Sequence, residues 1–78
     1  MEAAEFTGRV VRGPFARGSK SERQAMFIET AAGRYVLRRQ GGNAFRDPVI
    51  DRLEGKTIRC TGMLTDQTLI ISAWTVLA

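Results

Sequence analysis

Alternation of apolar and polar residues, the mark of a strand with one buried face, recurs along most of this chain. It is clearest from Lys56 to Thr65, where Ile58, Cys60, Gly62 and Leu64 alternate with Thr57, Arg59, Thr61, Met63 and Thr65, and the first set is expected to face a core. Phe6 to Arg12 alternates in part, with Phe6, Gly8 and Val10 on one side. Glycine inside a strand points to a bend or bulge there. Gln24 to Thr30 and Arg34 to Arg39 are rich in β-favouring residues, and Ala31-Ala32-Gly33 between them has the length of a three-residue hairpin loop with glycine in the left-handed position. That register sets Phe27 opposite Leu37 and Ile28 opposite Val36. Phe6 and Phe27 are then expected in the core, and Met26, Ile28 and Val36 form an apolar strip outside it. After a short turn at Asp66-Gln67, Thr68 to Val76 is dense in β-branched and apolar residues, with Leu69 and Ile71 the inward pair.

Two stretches break the alternation. Gly13 to Glu22 gathers glycine, proline and serine and reads as a long loop. Gln40 to Arg46 carries the pair Gly41-Gly42, which permits a sharp reversal, and Phe45, expected to plug the core. Asp47-Pro48 then supplies an N-cap acceptor and a proline for the first helical position, with Val49, Ile50 and Leu53 on one side of a helix that Gly55 ends. A helix of about two turns has no stability of its own, so it must dock on the sheet. The expected architecture is one all-β domain over residues 1–78, a small barrel of five strands with a short helix between the third and fourth.

That order of elements resembles the oligonucleotide/oligosaccharide-binding barrel, the OB-fold. The glycine-bearing first strand, the Gly33 hairpin and the helix leading through Leu53-Glu54-Gly55-Lys56 to Ile58 carry the resemblance, which spans roughly Glu5 to Ala78. An SH3-like barrel is the rival, with a single helical turn before its last strand. The OB resemblance implies a ligand groove across the second and third strands, flanked by the loops after the first and fourth. Here those positions are Met26, Ile28, Arg34, Val36 and Arg38 or their opposite-face neighbours, with Phe15, Arg17 and Lys20 in the first loop. The loop after the fourth strand, Asp66-Gln67, is shorter than is typical of nucleic-acid binders of this fold.

Composition narrows the chemistry. No apolar stretch approaches the roughly 18 to 20 residues that cross a bilayer. Acids at Glu2 and Glu5 stand where a secretory signal carries positive charge, so a cytoplasmic location is expected, without membrane contact. The single cysteine, Cys60, cannot close an internal disulfide and reads as a small buried side chain in a reducing compartment. With no histidine, the commonest base near neutral pH and the commonest metal ligand are missing. Asp47 is assigned to capping, and Asp51 and Glu54 to a solvated helix face. Neither glycine-rich stretch matches a phosphate loop. The expectation is no enzyme, no cofactor and no metal.

Charge changes the picture most. Twelve Lys and Arg against eight Asp and Glu give +4, and ten of the twelve are arginine. The arginine fork suits phosphate and also stacks on flat rings. Alternation sets Arg34 and Arg38 on one strand face and Arg39 beside Tyr35 and Leu37 on the other. Arg34 and Arg38 make the best phosphate-contacting row, unless Glu29 and Glu22 pair with them. Tyr35, Trp74, Phe15 and Phe27 are candidate stacking platforms, although a core this small claims most of its aromatics. Two functions fit. One is a basic module that contacts single-stranded DNA or RNA through Phe15, Arg17, Lys20, Arg34, Arg38 and Arg59. The other is a protein-interaction or homodimer domain that uses the apolar strip Met26, Ile28, Val36 and Met63, without nucleic acid.

Overall fold

A computed structural model describes residues 3–14, 24–42 and 47–78. Five strands, β1 (Ala4–Pro14), β2 (Gln24–Thr30), β3 (Gly33–Arg39), β4 (Thr57–Thr65) and β5 (Thr68–Val76), close into a barrel in the order β1-β2-β3-β5-β4. One helical turn, α1 (Pro48–Asp51), lies between β3 and β4. All neighbouring strands are antiparallel except β3 and β5, which run parallel from Val36 opposite Thr68 to Arg39 opposite Ile71. A parallel pair needs a crossover rather than a hairpin, and the stretch containing α1 and β4 supplies it.

The inward positions follow the alternation. Val10, Ile28, Ile58, Leu69 and Ile71 have no exposed surface, and Leu37 and Cys60 complete the centre. Each such aliphatic side chain contributes about 1.5–3 kcal/mol by leaving water. Phe6, Tyr35 and Trp74 pack against this core while half-buried. Two core-facing glycines let backbones meet: a side chain at Gly8 would strike the carbonyl of Glu29, and one at Gly62 the carbonyl of Ile70. Beside Gly62 the β4–β5 ladder slips by one residue, a bulge that sharpens the bend small barrels require.

The β2–β3 hairpin departs from the expected register. Phe27 stands opposite Val36, and Ile28 opposite Tyr35, because the connection is two residues, Ala31-Ala32, rather than three. Thr30 closes it: its hydroxyl accepts from Ala32 N–H at 3.1 Å and donates to the Gly33 carbonyl at 2.9 Å. Gly33, at φ 145°, therefore pairs with Thr30 as the first residue of β3. A shift of one residue turns a strand's side chains over. Met26 and Ile28 are accordingly buried, and Phe27 faces outward, so the expected apolar strip loses two of its members and the core loses one aromatic.

The helix is shorter than expected, a single turn continued by turns as far as Gly55, whose φ of 82° stops it. Its N-cap is Asp47, whose Oδ1 accepts from Val49 N–H at 3.1 Å. Ile50 and Leu53 are buried in the core, while Val49 is half-buried. The turn sits where β1 and β3 finish and β2 begins, and Gly55 N–H donates to the Val10 carbonyl at 2.7 Å. Two ion-pair clusters tie it down. Arg39 Nε and Nη2 donate to Asp47 Oδ2 and Oδ1 at 3.0 and 3.2 Å. Arg12 lies 3.2 Å from Glu54 and 3.6 Å from Asp51. Among the described residues, no helix is long and apolar enough to cross a membrane. The expected core plug, Phe45, and the first loop beyond Pro14 lie outside the described residues.

Candidate nucleic-acid interface

Because Met26, Ile28 and Leu37 point inward, their strand neighbours define the outer face. Val11, Phe27 and Val36 stand opposite one another on β1, β2 and β3 and make a half-buried apolar row. Beside it runs a charged row in which Arg9 is opposite Glu29 and Glu29 opposite Arg34. Arg38 projects from the same face of β3, opposite Ile70 of β5.

Arg34 does not take the carboxylate across from it. Its guanidinium carbon lies 4.2 Å from the centre of the Phe27 ring, the diagonal neighbour on β2. Ion pairs among the described residues engage Arg12, Arg39 and Arg59, and none involves Arg34 or Arg38. Pairing with Glu29 is therefore not how Arg34 is held, and Glu22 lies outside the described residues.

The other expected site residues divide. Arg59 faces outward from β4, two places round the ring from β3, and sits 4.0 Å from Glu5. It does not share a face with Arg34 and Arg38. Phe15, Arg17 and Lys20 lie outside the described residues, and β1 is described as far as Pro14, opposite Gln24. The turn Asp66-Gln67 reaches β3 from the other side, where the Gln67 carbonyl accepts from Val36 N–H at 2.8 Å. Tyr35 and Trp74, half-buried, pack against the core, and among the described residues Phe27 is the candidate ring on this outer face, the ring that the expected register assigned to the interior. The signal for it was present in the turn: Thr30, with a hydroxyl able to close a two-residue connection, decides the register.

Three further features bear on chemistry. A shallow depression of about 200 Å³ on β1 is lined by Arg9 and Arg12 but equally by Glu29 and Glu54, so its charge is balanced and does not select an anion. Burial raises the Asp47 pKa, but the hydrogen bonds from Arg39 and Val49 outweigh it, and the net shift is downward. Burial, and secondarily the charge of Glu5, push the Cys60 thiol up, which keeps it protonated and poorly nucleophilic. Among the described residues no three acids, cysteines or histidines gather as a metal site would require. Comparison of the chain with protein families, characterised proteins and solved structures finds no match.

Proposed function

We propose that this chain is a binding module, of the OB-fold kind, that holds single-stranded nucleic acid on the outer face of β2 and β3. The closed five-strand ring and the helical turn between β3 and β4, rather than before the last strand, support that kinship. The observation that carries the reading is the contrast in how the arginines are used: Arg12 and Arg39 are engaged by carboxylates, while Arg34 and Arg38 project from one face without an ion pair among the described residues. Phosphates require such cations, and the half-buried apolar row Val11, Phe27 and Val36, with Arg34 lying over Phe27, suits contact with bases. Phe15, Arg17 and Lys20, which follow Pro14 in sequence, belong to the same proposal as further contacts. A cytoplasmic setting belongs to the same proposal, in keeping with the buried, unpaired Cys60.

The rival protein-interaction reading rested on an apolar strip, and with Met26 and Ile28 in the core only Val36 and Met63 of that strip remain outside. The test is anisotropy titration of a labelled mixed-sequence oligonucleotide, as DNA and as RNA, over a range of salt concentrations. Affinity is expected to fall steeply with salt, and Arg38→Glu to weaken it several-fold. Salt-independent or absent binding rejects the proposal.

A further inference from the structure

Gly13 is a buried strand residue with an unusual neighbour. Gly8 and Gly62 leave room for backbone carbonyls, but a side chain at Gly13 would collide with the Nη2 end of Arg34 and would lie 3.6 Å from both Cζ of Arg34 and Cε1 of Phe27. Arg34 therefore runs from β3 across β2 to β1, with its guanidinium carbon over the Phe27 ring and its tip in the space that a side chain at Gly13 would fill. A glycine inside a strand marks a close approach, and here the approaching group is the guanidinium. This costs Arg34 its ladder partner: Glu29 is directly opposite, yet the two form no ion pair. The side chain is exposed, so a flat cation is presented to solvent, held in orientation before any ligand arrives.

We propose that Gly13, Phe27 and Arg34 form a pre-oriented stacking platform that receives one nucleobase on the outer face of the Arg34 guanidinium. The inference rests on the nucleic-acid reading above and adds the base subsite to it. A guanidinium is planar, delocalised and weakly hydrated, so it can stack on a base, and every base offers a π-face. Orientation is the point: a mobile arginine loses rotamer freedom on binding, whereas one already held between a ring and a glycine loses little. Arg38, farther along the same face of β3, is left to meet the phosphates. A lysine in place of Arg34 keeps the charge and abolishes the platform. An alanine in place of Gly13 keeps both side chains and lifts the guanidinium off its seat, a cheap displacement because the colliding atom is the far end of a flexible side chain.

The experiment compares a ten-thymidine strand with a ten-unit abasic strand of the same sugar-phosphate backbone, for the native chain, Arg34→Lys, Gly13→Ala and Arg38→Lys. The native chain is expected to prefer the base-bearing strand by about tenfold. Arg34→Lys and Gly13→Ala should lose most of that preference with the salt slope unchanged, and Arg38→Lys should keep it. Arg34→Lys alters only an exposed side chain, so the test survives if Gly13→Ala fails to fold. Binding of both strands with equal affinity by the native chain, or a full base preference in Arg34→Lys, overturns the platform and leaves the nucleic-acid reading standing. No binding of either strand overturns both.

Discussion

The helix-capped end of the barrel and the outer face of β2 and β3 use the same residue in opposite ways. At the capped end Arg39 forks onto the buried carboxylate of Asp47, which also caps α1, and Arg12 reaches Asp51 and Glu54. Each guanidinium there links a strand to a helix too short to persist alone. On the outer face Arg34 passes over the carboxylate opposite it and lies on a ring, and Arg38 joins no ion pair among the described residues. An arginine-rich composition thus contains two populations, separated by whether the guanidinium meets a carboxylate. Net charge cannot separate them, because it counts both alike.

The comparison breaks if the capped end proves dispensable. Asp47→Ala removes an N-cap acceptor and leaves Arg39 without its bidentate partner, so a loss of about 2 kcal/mol is expected in urea unfolding, with oligonucleotide affinity unchanged at low temperature. The same carboxylate makes an acid-stability prediction. Its folded pKa lies below the ordinary aspartate value, so its contribution is fully present above that value and is lost as pH falls through the lowered one. Asp47→Asn should therefore flatten the decline in stability from about pH 5 downward, as followed by circular dichroism. Arg12→Ala should cost less, at most about 1 kcal/mol, because its partners are partly solvated. A larger loss would mean that the exposed pair carries the docking of α1.

On the other face the effects are read in affinity. Glu29 lies between Arg9 and Arg34 in the ladder and opposes an incoming phosphate, so Glu29→Gln should tighten oligonucleotide binding about twofold, less so at high salt. Weaker binding would show that Glu29 orients the arginines. The smallest effect is expected at Arg59, which points from β4 on another side of the barrel: Arg59→Ala should change affinity by less than about twofold, the loss of one distant, screened charge. A fall as large as that of Arg38→Glu would extend the bound strand around the barrel and erase the distinction between faces.

Much of this was legible along the chain. Ile58, Cys60, Leu69 and Ile71 are buried as their alternation requires, Asp47 caps and Gly55 stops the helix, and Arg34 and Arg38 share a face opposite Arg39. These features are local: each depends on spacing within one strand or on the backbone geometry that one residue permits. Phe27 was misassigned because its face depends on pairing between strands, and the two-residue turn closed by Thr30 shifted that pairing by one. Leu64 keeps its inward parity, opposite Leu69, but lies near the end of β4 and is 37% exposed.

The amino-acid order alone determined five strands, a capped helical turn and an excess of arginine, since periodicity, caps and charge are properties of neighbours in sequence. Tertiary structure decided which face of β2 meets water, which arginines find carboxylates, and that Gly13 would lie under Arg34. Those outcomes join residues far apart in the chain, and they follow from the register and closure of the barrel, in which moving one strand by a single residue exchanges its inner and outer surfaces.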